Sequence, residues 1–209
     1  MPTIDELTVA DAPEAWRQCG FEVDGDICVV GEVRIRLAGL DAGRGLAGWS
    51  LREVEAGDLD GLPTAASDRP PPAPPAHPNG VTVVDHVVAF TPALDRTVAV
   101  LAGAGLDLRR IREEPTPAGA PRQAFFRLGA VILEVVQQPA EMFESADGPA
   151  FFWGLAFLAP DLDATVASLG ADRVSEAREA VQPGRRIATL RRSAGLSLAV
   201  ALMSNTDVR

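Results

Sequence analysis

The chain has 209 residues, 47% hydrophobic and 23% charged, enough to bury a sizeable core in one large or two small globular domains. Its 29 acidic against 19 basic residues leave a formal charge of −10, which repels phosphate backbones and anionic lipid heads, so neither nucleic acid nor membrane is an expected partner. Every basic residue is Arg and Tyr is absent, which excludes a Schiff-base lysine, a phosphate-loop lysine and a phenolic acid.

The bias towards Ala, Arg, Gly and Pro points to a GC-rich, bacterial coding sequence. The opening residues, MPTIDELTVAD, carry acids where a secretory leader needs positive charge. No apolar run approaches the roughly 20 residues that span a bilayer, so the expected compartment is the cytoplasm. Residues 4–9 read as a strand, Asp11 and Pro13 open a short helix through Trp16 to Cys19, and Gly20 closes it. Three brief strands are predicted at 21–23, 26–30 and 33–37, making residues 1–66 a compressed βαβββ-like module, with strand-like residues 48–54 as the start of an unfinished repeat. Cys19 and Cys28 are too few for a disulfide framework and read as buried thiols.

Residues 67–80 contain RPPPAPPAHP, where missing amide hydrogens preclude a helix or central strand, so the segment is predicted to be an extended spacer with His77 exposed. Downstream, VDHVVAFTPALDRTV (84–98) aligns without gaps on FWGLAFLAPDLDATV (152–166). Each copy begins with an apolar run suited to a strand. A proline follows, and apolar residues then recur at i, i+4, i+7: Leu94, Val98 and Leu101 in one copy, Leu162, Val166 and Leu169 in the other. Gly105 and Gly170 close the two helices. Three extended segments follow each, at 108–112, 123–128 and 131–137, and near 173–176, 186–192 and 196–203. Residues 81–205 are therefore predicted to be two βαβββ modules of an α+β fold.

Paired modules with DHVVAFTPALD and GLAFLAPDLDATV at the strand-to-helix step resemble the vicinal oxygen chelate superfamily of glyoxalase I, extradiol dioxygenases and bleomycin-resistance proteins. The resemblance implies a curled mixed-sheet cup in which the first and last strands of each module offer inward metal ligands. In the first module these positions are His86 and Glu134, a set that suits Fe²⁺, Mn²⁺, Ni²⁺ or Zn²⁺, with Glu134 as proton acceptor where no metal is held. The second module carries Gly154 and Ala199 there, and the amino-terminal copy Glu6 and Arg36, so the set is incomplete. Three readings stay open: pairing of His86 and Glu134 across a homodimer axis, a two-ligand metal completed by water and substrate, or a metal-free cup. In the plainer alternative His86 is a hydrogen-bonded core residue and Glu134 pairs with an arginine such as Arg127.

Phe125, Arg127 and Trp153 are the candidate substrate-binding residues, Trp153 as a stacking surface for a planar ligand or as filler beside Gly154. Arg185, Arg186, Arg191 and Arg192 either grip an anion or form a solvated face. The expected function is a glyoxalase-like protein acting on a small oxygen-rich molecule: if an enzyme, a metal-dependent lyase, isomerase or dioxygenase. The alternative is a metal-free protein that sequesters a small molecule.

Overall fold

A computed structural model describes residues 1–114, 122–145 and 147–205. The chain forms two mixed sheets. The larger, of eight strands, is built from β7 (Val83–Thr91), α2 (Leu94–Gly103), β8 (Asp107–Arg112), β9 (Gln123–Leu128) and β10 (Val131–Gln137), then β11 (Phe151–Leu158), α3 (Leu162–Leu169), β12 (Arg178–Glu179), β13 (Arg186–Thr189) and β14 (Ala199–Met203). Its order is β12-β13-β14-β11-β7-β10-β9-β8, with β10 parallel to β7, β14 parallel to β11, and the two halves joined by antiparallel β7 and β11. This is the α+β arrangement of paired βαβββ modules. The second module departs from the expected strands: its first trailing strand is the two-residue β12, and Val174 makes only an isolated bridge to Leu190.

The amino-terminal segment differs more. Its strands are β1 (Thr3–Val9), β2 (Ile27–Val30), β3 (Val33–Leu37), β4 (Leu46–Arg52), β5 (Gly57–Asp58) and β6 (Pro63–Ser67), with α1 (Pro13–Gln18) after β1. They form a sheet of order β2-β3-β1-β4-β6-β5. Here β3 runs parallel to β1, β6 parallel to β4, and β1 pairs antiparallel with β4, as β7 does with β11. The segment predicted as one module with an unfinished repeat is thus a shortened pair of modules, βαββ followed by βββ. No strand forms at 21–23, because Phe21 turns into the core against Trp16 and Phe157.

The two sheets press their apolar faces together in one continuous core. Leu7, Ile35 and Leu51 of the smaller sheet and Val87, Leu133, Leu155 and Phe157 of the larger are all buried in it, with Trp16 edge-on to Phe157 and Trp49 edge-on to Phe152. Each sheet therefore turns its other face outwards. The prediction of an exposed His77 is corrected: the residue is 7% exposed, accepts the Glu22 amide at Nδ1 and sits 2.9 Å at Nε2 from the Val29 carbonyl. Cys19 and Cys28 are buried free thiols. No helix among the described residues is long and apolar enough to cross a membrane.

Candidate functional site

Strand alternation sends His86 and Glu134, with their cross-strand neighbours, to the outward concave face of the larger sheet. Ile132 is opposite His86, while Val88 and Phe125 flank Glu134. A bulge changes this pattern at one point: Val84 pairs with Phe157 and His86 with Ala156, so Asp85 is an extra residue and reaches the same face as His86. The smaller sheet repeats the device. Ile4 pairs with Leu51 and Glu6 with Ser50, leaving Asp5 as the extra residue.

The larger face brings three titratable groups into line. Asp85 Oδ2 lies 2.8 Å from His86 Nδ1, and His86 Nε2 lies 3.7 Å from Glu134 Oε2. Arg185 holds Asp85 from behind with bonds of 2.7 and 3.1 Å. Burial alone would raise the Asp85 pKa, but hydrogen bonds with His86 and Arg185 outweigh it and bring the carboxyl down to about 2. An ionised Asp85 can only accept, so Nδ1 carries the ring proton and Nε2 faces Glu134. Glu134 goes the other way: burial raises its pKa, against the opposing charges of His86, Arg110 and Arg112. It accepts a hydrogen bond from the Gln123 amide. A separation of 3.7 Å is too long for a direct hydrogen bond, leaving two acceptors that a proton or a ligand donor between them would satisfy.

The opposite half of the face supplies no third donor. Gly154 lies beside Ala199 in the β11–β14 pair, and a Cβ built at Gly154 would meet the Ala199 carbonyl oxygen at 2.4 Å. A side chain is thus excluded there by backbone proximity as well as by sequence. Among the described residues no three His, Cys, Asp or Glu converge, and Asp85 is committed to Arg185. His86 and Glu134 are the metal-type donors that face each other, and this set does not fit a closed metal centre.

The smaller sheet has ion pairs in the matching place. Glu6 takes both Arg36 and Arg69, while Asp5, fully buried, takes Arg34, Arg52 and Arg69. Burial would raise the Asp5 pKa, but hydrogen bonds from Ser67 and Arg69 and the charges of Arg69 and Arg52 hold it below the usual carboxylate range. Removing one partner of such a buried network costs on the order of 3–5 kcal/mol, because the others keep uncompensated charge. This copy of the face is sealed by its own side chains.

Of the predicted binding residues, Phe125 lines the cavity of about 510 Å³ that holds His86 and Glu134, with the Arg110 guanidinium 4.7 Å above its ring. Trp153 lines an adjoining cavity of about 380 Å³ and stacks on Phe90, with centroids 4.5 Å apart. It is 45% exposed, so it forms a wall open to solvent. Arg127 is a correction: it is exposed, bonds the Gly129 carbonyl, and pairs with neither Glu134 nor the cavities. Arg185 and Arg186 pair with Asp85 and Asp163. Sequence reasoning missed Asp85, Gln123, Arg110 and Arg112, and it named Arg185 among four anion-gripping or solvated arginines without its partner Asp85. Asp85 adjoins His86, but strict alternation assigns it to the core face, and only the bulge brings it round.

No protein-family model matches the chain, and no curated protein matches it. Several solved structures are similar. They include methylmalonyl-CoA epimerase from Mycobacterium tuberculosis, at 22% identity and TM-score 0.48 over 60% of this chain and 89% of that one. A variant of the Streptomyces coelicolor epimerase in complex with 2-nitronate-propionyl-CoA matches at 24% identity and TM-score 0.48, over 62% and 98%. A hypothetical protein from Bacillus halodurans matches at 15% identity and TM-score 0.48, over 60% and 96%.

Proposed function

We propose that the concave face binds a small carbonyl compound, as a vicinal-oxygen-chelate-type protein, and moves a proton at the carbon beside the carbonyl. Glu134 takes the proton, the C–H electron pair forms the new C=C bond, the C=O pair moves onto oxygen, and that oxygen receives the Nε2 proton of His86 in its doubly protonated form, which leaves the ring neutral with its Nδ1 proton hydrogen-bonded to Asp85. Asp85 keeps the ring oriented and stabilises its positive charge when it forms. The reaction is an isomerisation and needs no oxidant.

The observation that carries this reading is the line Asp85, His86, Glu134, assembled from strands distant in the chain and held at 2.8 and 3.7 Å. A cup that only stores a solute gains nothing from a carboxylate buried against its own ionisation, whereas a base needs that raised affinity for protons. The test is deuterium exchange from solvent at the carbon beside the carbonyl, followed by NMR over a panel of 2-oxo acids, 2-oxo aldehydes and acyl thioesters. Glu134→Gln is expected to slow exchange roughly 10²- to 10⁴-fold without lowering the melting temperature. Exchange no faster than the spontaneous rate across the whole panel overturns the reading.

The open Phe90–Trp153 stack favours a second reading, storage of a flat compound without chemistry. Saturable quenching of tryptophan fluorescence by aromatic compounds, with no exchange in any of them, is its signature.

A further inference from the structure

The cleft around His86 and Glu134 has two ends of opposite chemistry. At one end Arg110 and Arg112, alternate residues of β8, line the larger cavity beside Gln123 and Phe125, and their charges reach Glu134. Many arginines of this chain are tied up in ion pairs, among them Arg34, Arg36, Arg52, Arg69, Arg96, Arg122 and Arg185. Among the described residues neither the Arg110 nor the Arg112 guanidinium makes an ion pair or a hydrogen bond; that of Arg110 lies on the Phe125 ring, and both act on Glu134 through their charge. Two guanidinium groups with no side-chain bond, in a cavity whose carboxylates are Glu114 and Glu134, can take an anionic ligand group as a pair.

At the other end the adjoining cavity is apolar. Phe90 and Trp153 stack at an interplanar angle of 14°, Val88 and Val136 lie beside them, and Gly154 and Ala199 leave the opposite side without bulk. Trp153 stands on this face because Phe152 pairs with Ala89 and Gly154 with Val88, which makes Trp153 the extra residue of a second bulge. A large aromatic held rigidly by a partner ring while 45% exposed leaves apolar surface for another flat group to cover. The two cavities share His86, Gln123, Glu134 and Ile187, so a molecule occupying both passes directly across the acid–base pair.

Building on the proton-transfer reading, we infer that the ligand is a 2-oxo acid bearing an aromatic ring. Its carboxylate meets Arg110 and Arg112, its carbonyl and the neighbouring carbon lie between His86 and Glu134, and its ring covers Trp153. In such a molecule the carbon between ring and carbonyl is the acidic one, so the mobile proton falls where Glu134 stands.

Titration calorimetry on the full chain with four probes tests this: 3-phenyl-2-oxopropanoate, 2-oxopropanoate without the ring, 1-phenylpropan-2-one without the carboxylate, and phenyl phosphate. The aryl acid is expected to bind, and removal of either ring or carboxylate to weaken binding about tenfold or more. Trp153→Ala should weaken the aryl acid roughly 3- to 10-fold and leave 2-oxopropanoate unchanged. The double variant Arg110→Ala, Arg112→Ala should weaken both acids roughly tenfold or more and leave the ketone unchanged. This crossed pattern cannot arise from general unfolding. Equal binding of the three carbon probes, uniform weakening by Trp153→Ala, tighter binding of phenyl phosphate, or no binding of the aryl acid overturns the inference. Proton exchange followed on the native chain separates it from the preceding reading: aryl-acid binding without exchange defeats the acid–base role and keeps the ligand class, while exchange on small carbonyls with no aryl preference does the reverse.

Discussion

Asp85 and His86 act as one unit because two consecutive residues share a face at a bulge. The ionised Asp85 accepts from Nδ1 and is itself held by Arg185, so the ring orientation is set from behind. Asp85→Asn keeps the size of the side chain but can present an N–H to the ring, which favours the opposite tautomer and leaves Arg185 with a weaker partner. Proton exchange is expected to fall roughly 10²- to 10⁴-fold while ligand binding holds, measured by NMR and calorimetry on the same preparation. Unchanged exchange would show that the tautomer of His86 does not matter to the chemistry. The smaller sheet places Asp5 and Glu6 at the corresponding bulge, and there the arginines consume both carboxylates. The same backbone device yields a cavity-lining pair in one sheet and an ion network in the other, and the difference lies in the side chains opposite: Glu134 in the first, Arg36 in the second.

At the scale of strands, the bulges decide what the concave face contains. Among the described residues the smaller sheet has two, at Asp5 and Ala47, and the larger three, at Asp85, Arg109 and Trp153. An extra residue that twists the strand turns a core position outwards. Gly154 lies just after the Trp153 bulge, where β11 approaches the backbone of β14. Gly154→Ala is expected to push β14 away and destabilise the fold by about 1–3 kcal/mol, read as a lower urea midpoint with an unchanged slope. No change in midpoint would show that β14 yields at little cost, and a ligand at position 154 would then become sterically admissible.

For the whole molecule, the smaller sheet is the back wall of the larger one, and His77 pins the chain between them. It is buried against Phe21 and uses both ring nitrogens on neighbouring backbone, with Nδ1 as acceptor for the Glu22 amide. Burial lowers its pKa from the usual 6.5, more than the Val29 carbonyl and Glu22 raise it. The neutral ring is thus the form the fold prefers. Its stabilisation is complete above about 6.5 and is lost as pH falls through that value towards the lower folded pKa, because the unfolded chain takes up the proton first. Denaturant midpoints at pH 7.5 and 5.5 should therefore differ more for the native chain than for His77→Asn, and an equal difference in both would remove His77 from this role.

The first module was legible almost residue by residue. Its strands β9 and β10 alternate over most of their length, Gly105 follows the helix with φ of +90°, and local periodicity needs no knowledge of the far chain. His86 and Glu134 were legible through the resemblance, which implies inward ligands on the first and last strands of the module, with alternation placing each among the neighbours on its own strand. The second module and the amino-terminal segment were less so: β5 and β12 have two residues each, too short for any period to show. Asp85, Arg110 and the partner of Arg185 were beyond local reading, because a bulge shifts register without a sequence mark and an ion pair between residues 85 and 185 exists only once β13 has come round to β7 through β14 and β11. Periodicity is a property of neighbours along the chain, whereas the charge, burial and partners of a site belong to neighbours in space. The sequence alone determined a duplicated strand–helix architecture and its imidazole and acid; tertiary packing decided that they face each other over 3.7 Å, with a cationic end and an aromatic end to the cleft that holds them.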